Sequence, residues 1–206
     1  STLQAEIARL RAQAEVLEQA ERALSGYSSG AKLLLEAARQ SRLKGVRGAL
    51  SSLLEVPAEY EAAIAAALGE YLDAVVLSDE NLDSALDALA GQTARAALLP
   101  IQSLIPHAPV PYSGEVEGFL GIASDLLKSP ADLRPAIDLL LGQTWVVRDR
   151  ATARHALAGG RQHAGLRVVT LKGEVFHASG PVLAGQEKGS TLGRVRQRGE
   201  LSEKLV

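Results

Sequence analysis

Cysteine and methionine are absent from this sequence of 206 residues, and only 3% of its residues are aromatic. Without cysteine the chain has no disulfides, thiolate zinc ligands or thiol nucleophile, and it fits a reducing compartment such as the cytoplasm. No apolar run approaches the roughly 18 residues that a membrane-spanning helix needs, and the charged first residues contain no secretory apolar region. Because even a starting methionine is missing, we expect the sequence to be a segment of a longer chain.

A strong net charge is absent as well. The formal net charge is -2 at pH 7, so the total charge does not predict a nucleic-acid partner, and any such prediction depends on local clusters of cations. The hydrophobic fraction of 47% is large enough to form one or two ordinary cores.

One stretch of the sequence is written twice. The residues from Gly48 to Gly69 match those from Gly121 to Gly142 at an offset of 73. Beyond the second glycine the offset falls to 71, where Val75 and Val76 match Val146 and Val147. This repetition predicts two related halves. Identical pairs inside the repeat include Ser51/Ser124, Leu53/Leu126, Leu54/Leu127, Pro57/Pro130, Ala63/Ala136, Ile64/Ile137 and Leu68/Leu141.

The two ends of the chain are predicted to form helical arms. Apolar residues from Leu3 to Leu24 alternate in steps of four and three, interrupted only by Glu21, and this heptad pattern is typical of a coiled coil. From Thr191 onward the pattern is helical again, with a gap in its apolar face at Arg198. We expect the two arms to pair antiparallel within one chain. The alternative for the first arm is an amphipathic helix that packs against the domain of its own chain, although the apolar face of such a helix is usually wider than a strict heptad stripe.

Between the arms, helical and strand patterns alternate. This alternation predicts a mixed α/β (α+β) fold with partly parallel strands and two similar subdomains, flanked by antiparallel coiled-coil helices. We interpret residues 44–48 as a glycine-flanked connection. The predicted helices are 31–40, 57–68, 80–90, 130–141 and 151–158; the predicted strands are 73–78, 94–99, 144–148 and 166–171; residues 101–118 form a linker and 174–185 an extended segment.

No catalytic or metal-binding pattern stands out. The sequence has no GxxxxGK[ST] phosphate loop, and no GxGxxG follows a predicted strand. Its four histidines lack the spacing of metal ligands. Ser51 and Ser124 recur in the repeat without a nucleophile elbow, and we interpret them as helix caps. The sequence therefore predicts no enzyme, no cofactor and no small-molecule substrate.

Positive charge is concentrated where the arms join the core. Residues 37–54 and 188–199 contain several cations and no acid. If the chain enters and leaves the core at one place, the two runs meet on one surface, which would suit DNA phosphates. For either run alone, a solvated surface explains the charges equally well. The cations are Arg39, Arg42, Lys44, Arg47, Lys188, Arg194, Arg196 and Arg198.

Five segments in this order resemble the hinge of the SMC (structural maintenance of chromosomes) ATPases. The arrangement of arm, glycine-bearing core and returning arm is similar as well. A related class of coiled-coil ATPase carries a zinc hook built on Cys-x-x-Cys, which the absence of cysteine excludes. The five segments are 26–37, 44–48 (KGVRG), 63–76 (AIAAALGEYLDAVV), 94–100 (ARAALLP) and 169–185 (VTLKGEVFHASGPVLAG).

The resemblance implies a hinge that joins two SMC chains at the apex of their coiled coils. It also implies non-specific contact with DNA, single- or double-stranded, a cytoplasmic location at the nucleoid, no membrane partner, and ATPase heads elsewhere on the full-length chain. We expect an N-terminal arm at 1–26, a first hinge subdomain at 27–110, a second subdomain with the dimerisation strand at 111–190, and a C-terminal arm at 191–206.

The segment from Gly173 to Gly185 has no counterpart after the first half of the chain. Glycine inside extended chain often marks a place where another backbone comes close. Together with the resemblance, this predicts a homodimer interface at Gly173, Gly180, Val182, Leu183 and Gly185. The alternative function is an α/β ligand-binding regulatory domain on a coiled-coil stalk, which an apolar pocket with convergent polar groups would favour.

Overall fold

The chain folds into two halves, each built of a sheet and helices, with one further helix at each end of the chain. The computed structural model describes residues 2–114, 116–160, 163–185 and 191–205. Short 3₁₀ turns precede α3, α4 and α5. The elements are α1 (Thr2–Arg22), α2 (Ser29–Arg39), β1 (Val46–Ala49), α3 (Glu61–Leu68), β2 (Val75–Leu77), α4 (Leu82–Leu89), β3 (Leu98–Pro100), β4 (Phe119–Ile122), α5 (Arg134–Leu141), β5 (Thr144–Val147), α6 (Arg150–Gly160), β6 (Arg167–Thr170), β7 (Val175–His177), β8 (Val182–Leu183) and α7 (Gly193–Leu205).

The strands form two sheets of unequal size. The first has the order β1-β2-β3, and the second has the order β4-β5-β6-β7-β8. In both sheets the first pair is antiparallel and the second pair is parallel, as β2 with β3 and β5 with β6. Strands β7 and β8 continue the second sheet as antiparallel neighbours. The mixed fold class with two similar subdomains is therefore confirmed.

The two copies of the sequence repeat have the same local structure, including the same shift in strand register. The pairing of β1 with β2 shifts register between Val46 and Gly48, and that of β4 with β5 shifts between Phe119 and Gly121. Gly48 has φ 141° and Gly121 has φ 152°, backbone values that side chains with a Cβ rarely adopt. The glycine that opens each copy of the repeat thus forms the same bulge in each edge strand.

The two halves are related by an approximate twofold axis that passes between Glu55 and Lys128. These residues occupy the same position of the repeat, and their backbones pair with each other: each amide N lies 2.9 Å from the other residue's carbonyl O. Equivalent residues can form such a reciprocal pair only where they meet at the axis. The backbone pair of Glu55 with Lys128 therefore marks the junction of the two halves, where both side chains are exposed.

One apolar core is shared by both halves. Ile64 on α3 and its repeat equivalent Ile137 on α5 are fully buried in it, together with Leu192 ahead of α7. A second cluster packs α2 and α4 against the first sheet, and a third surrounds Trp145 and α6. Burial of this apolar surface is the main force that holds the halves together.

Three local predictions are wrong. Residues 44–48 are not only a connection, because Val46–Ala49 form β1. Only the last part of 94–99 is strand, and Pro100 belongs to β3. Ser51 and Ser124 are not helix caps: both are fully buried within 3₁₀ turns whose N-cap residues are Ala49 and Ile122.

The arms form an antiparallel helical pair, as predicted. Arg194 near the start of α7 contacts Ser25 just beyond the end of α1, whereas Lys204 near the end of α7 lines a groove with Leu10. The alternative of a first arm packed on its own domain is not what the structure shows. Helix α7 continues through Gly199 without a break.

Candidate functional site

Strand β8 forms one edge of the larger sheet and presents apolar side chains to solvent. Val182 is 52% exposed and Leu183 is 61% exposed. Among the described residues the strand pairs with β7 alone, through Val182 with Phe176 and Leu183 with Val175. An open edge with exposed aliphatic side chains is a ready template for another strand, which proteins normally cover.

The three glycines of the predicted interface have different surroundings. A Cβ at Gly180 or Gly185 would meet no atom within 4 Å, and the φ angles of these residues are 118° and 119°. Gly173 is different, because a Cβ there would lie 3.2 Å from the carbonyl O of Ala62 on α3. Gly173 is thus a close approach between the two halves of one chain, while Gly180 and Gly185 flank the open edge on either side of β8.

Strand β3 is an edge of the smaller sheet. Its equivalent in the second half is β6. In each half the strand that follows the repeat, β2 or β5, has a parallel neighbour, and these neighbours are β3 and β6. The outer side of β6 is covered by β7, whereas β3 has no further strand beside it in the described sheet. Pro100 fits this position, because proline lacks an amide hydrogen and is confined to edge strands or bulges.

Tyr27 and Arg194 mark the place where the chain enters and leaves the core. The Arg194 guanidinium donates a hydrogen bond to the carbonyl of Ser25 and lies 5.9 Å from the centre of the Tyr27 ring. Burial raises the pKa of the Tyr27 phenol, and its hydrogen bond with Ser51 opposes that shift. The Thr191 hydroxyl donates to Ser51 Oγ at 2.7 Å. Both arms are therefore anchored to the first copy of the repeat through a buried polar cluster.

Two of the predicted DNA-binding cations line one cleft of about 530 Å³ between α1 and β1. Arg39 donates to the carbonyls of Arg22 and Glu21 at the C-terminal end of α1, at 2.6 and 3.0 Å. Arg47 forms an ion pair with Asp132 of the second half. Arg22 lines the same cleft and was not identified from the sequence, because it lies outside the two acid-free runs.

Two cations of the second run, Arg196 and Arg198, form ion pairs with acids. Arg198 pairs with Glu21 at 2.7 Å, and Arg196 pairs with Glu61 at 2.8 Å and with Glu200 at 2.6 Å. These acids hold the pKa of the Arg196 guanidinium above its ordinary value, chiefly through the hydrogen bond with Glu200.

The two runs meet only in part. Arg194 and Arg198 line a groove that shares Glu18 and Glu21 with the cleft of Arg39 and Arg47. Arg196 lies in another groove, beside Glu55 and Lys128. Arg42 and Lys44 are exposed on the segment between α2 and β1, where the Arg42 side chain bonds only to that of Gln40 among the described residues. Lys188 lies outside the described residues.

The described part of the chain offers neither a metal site nor a membrane span. Within 2–114, 116–160, 163–185 and 191–205, no group of three or more His, Cys, Asp or Glu side chains is placed to hold a metal ion. No helix of these ranges is long and apolar enough to cross a bilayer.

Comparison with known proteins agrees with this geometry. Residues 43–157 match the family model of the SMC proteins' flexible hinge domain. The chain is 31% identical to the chromosome partition protein Smc of Myxococcus xanthus over 98% of its length, and 31% identical to that of Bacillus subtilis over 95%. It spans only 17% of the length of each of these relatives.

Solved structures show the same fold. The SMC hinge domain of Geobacillus stearothermophilus, solved as an asymmetric dimer, superimposes on this chain with a TM-score of 0.88 at 31% identity. The match covers 98% of this chain and 83% of the Geobacillus chain. The SMC hinge domain of Pyrococcus furiosus gives a TM-score of 0.61 at 27% identity, with 89% and 90% covered. The family model covers more than half of the chain, and the Myxococcus and Bacillus relatives are 31% identical over nearly all of it, so the chain belongs to the family of SMC flexible hinge domains.

Proposed function

We propose that this domain forms a homodimer that joins two copies of a chromosome partition protein at the ends of their coiled coils. The observation that carries the proposal is the open edge at β8, with Val182 and Leu183 exposed. The Geobacillus hinge, the similar structure solved as a dimer, gives the proposal independent support. The dimer has no catalytic role, and ATP hydrolysis belongs to head domains elsewhere on the full-length chain, which acts in the cytoplasm at the nucleoid.

The partner of β8 in this proposal is β3 of the second copy. The repeat supports this choice, because β7 lies beside β6 and the corresponding place beside β3 is open. Two copies related by a twofold axis would form this contact twice and close a ring. A stable pair of this kind needs to bury on the order of 800 Å² on each partner.

Cysteine cross-linking tests the pairing, since the chain has no cysteine of its own. Leu98→Cys on β3 and Val182→Cys on β8 are introduced into separate preparations, which are then mixed and oxidised. We expect a covalent dimer only in the mixture. The control replaces Leu98→Cys by Leu86→Cys, an exposed position on α4. Equal cross-linking of the control, or none with Leu98→Cys, would contradict the pairing of β8 with β3.

We infer a second function, weak and sequence-independent DNA binding at the junction of arms and core. The specific observation that favours it is the exposure of Arg42 and Lys44 on the segment that runs from Arg39 to Arg47, two residues that line the cleft. These side chains offer charge to phosphates and no arrangement suited to base edges. Because Arg194, Arg196 and Arg198 contact acids or carbonyls of the chain itself, Arg42 and Lys44 provide the cleaner test.

The DNA test compares two double variants with the same change of net charge. Arg42→Glu with Lys44→Glu is expected to lower affinity for single- and double-stranded DNA at least tenfold. The slope of log affinity against log salt is expected to fall by about 0.9 for each duplex phosphate that the variant no longer neutralises. The control, Arg154→Glu with Lys172→Glu, changes exposed cations of the second half. Equal reductions of affinity in both variants would refute a site at this junction.

The alternative of a ligand-binding regulatory domain finds less support in the described clefts. Those near the arms are open grooves between α1 and α7 or between α1 and β1, of about 410 to 590 Å³. None of these three is an enclosed apolar pocket of the kind that small molecules occupy.

A further inference from the structure

Arg167, at the start of β6, contacts both halves of the chain at once. Its Nη1 donates to the carbonyl O of Ala67 at 2.7 Å, and its Nη2 donates to the carbonyl O of Leu140 at 2.6 Å and to Thr144 Oγ1 at 2.8 Å. Ala67 is the penultimate residue of α3, and Leu140 is the penultimate residue of α5. One guanidinium thus bridges a helix of the first half and a helix of the second.

The two carbonyls are equivalent positions of the repeat, because Ala67 and Leu140 are 73 residues apart. The C-terminal turns of the two symmetry-related helices therefore converge on one point near the approximate twofold axis. Each helix end carries unpaired carbonyls and about half a negative charge. A planar cation with two forked donors satisfies both ends, which a compact ammonium group does less well.

No acid contacts Arg167 in the described part of the chain, and the pKa of its guanidinium is lowered by burial. Its positive charge is balanced by the two helix ends instead. Short charge-assisted hydrogen bonds of this type are among the stronger ones in proteins. The bridge is therefore a directional contact between the halves, in contrast to the non-directional apolar core around it.

Both strands of the proposed dimer contact, β3 and β8, are connected to the Arg167 bridge through neighbouring elements. Helix α3 leads into β2, which pairs with β3. On the other side Arg167 itself pairs with His177 of β7, and β7 pairs with β8. The orientation of β3 relative to β8 within one chain thus depends on how α3 and β6 are held together.

We propose that Arg167 is a positioning residue for dimerisation, which fixes the two halves at the angle that lets both edges of one chain reach the partner. The inference rests on the proposed homodimer. In a closed ring an error in this angle occurs at both contacts, so a small rotation of the halves weakens the dimer strongly. The shared core and the backbone pair of Glu55 with Lys128 keep the halves together without Arg167.

The test compares Arg167→Met with Arg134→Met. Among the described residues Arg134 bonds to Asp125, Asp138 and the carbonyl of Ser124, all in the second half, so its removal should cost stability without changing the angle between the halves. We expect the dissociation constant of the dimer to rise at least tenfold in Arg167→Met and less than twofold in Arg134→Met. Spin labels at Leu86 on α4 and Arg154 on α6 should show a broader distance distribution only in Arg167→Met.

Arg167→Lys is the second variant, should Arg167→Met not fold. It keeps the cation but cannot hold both carbonyls in the same way, and we expect an intermediate rise in the dissociation constant. Equal dissociation constants for the Arg167 and Arg134 variants, with equally narrow label distances, would overturn the inference and leave the homodimer standing. A monomeric wild-type protein would overturn the homodimer itself, and this inference with it.

Discussion

At the scale of single residues, the charged side chains that interrupt the apolar faces of the two arms form an ion pair with each other. Glu21 breaks the heptad of α1 and Arg198 breaks the apolar face of α7, and the two side chains form an ion pair at 2.7 Å. Partly exposed pairs of this kind contribute about 0 to 1 kcal/mol. Glu21→Leu with Arg198→Leu should therefore raise the free energy of unfolding by roughly 1 kcal/mol, since two leucines in contact across the seam contribute more stability than the partly exposed ion pair they replace.

Urea unfolding of the two single variants and the double variant measures this effect. Each single variant is expected to be no more stable than the wild type, because it leaves one charge unpaired in the seam. A double variant less stable than the wild type would show that the pair, rather than apolar contact, holds the arms at this level.

His177 makes a residue-scale prediction about pH. Burial, and then the positive charge of Arg167, lower the pKa of its imidazole below the ordinary value of 6.5. The unfolded chain therefore binds a proton at His177 more readily than the folded chain does. Stability from this residue is full above pH 6.5 and is lost as pH falls toward the folded-state pKa. His177→Gln should flatten the unfolding free energy between about pH 5 and 7, and an unchanged slope would contradict this assignment.

At the scale of elements, the pairing of α1 with α7 should persist in solution. An isolated helical pair of this length is marginal, but here both helices are anchored by the cluster of Tyr27, Thr191 and Arg194. Labels at Gln13 and Lys204, which line the same groove between the arms, are expected to lie close together at every protein concentration. A distance that shortens only as concentration rises would mean that the arms pair between chains.

The sequence predicted the elements that occur twice with a clear pattern, and it missed those that depend on distant partners. Helices α3 and α5 and strands β2 and β5 follow from apolar runs of ordinary length. Strand β1 is only four residues long with a glycine in its middle, so its identity depends on β2 across the sheet. The extended segment 174–185 is in fact the hairpin of β7 and β8, whose turn the apolar pattern does not show.

The sequence predicted which cations lie near the candidate site, but it did not predict which residues they contact. The acid-free runs identified cations, yet Arg47 pairs with Asp132 and Arg196 with Glu61, residues far away in the sequence. Hydropathy patterns carry no information about such pairs. Arg167 was missed for the same reason, since its partners are backbone carbonyls of two helices.

At the scale of the whole molecule, the decisive feature is that the two halves are unequal. A duplicated core would have two equal sheets, but the second sheet has two additional strands and ends at the exposed β8. One chain therefore has one surplus edge strand and one open place beside β3. The proposed closed dimer satisfies both at once, because each copy supplies what the other lacks.

The most direct measurement is the solution mass by light scattering at micromolar concentration, for the wild type and for Gly180→Arg with Gly185→Arg. The control is Gly91→Arg, which also has a positive φ and open space around it but lies in the turn after α4, in the first half. We predict twice the chain mass for the wild type and the control, and a folded monomer with unchanged helix content by circular dichroism for the double variant. A monomeric wild type, or a double variant that remains a dimer, would contradict the proposed homodimer.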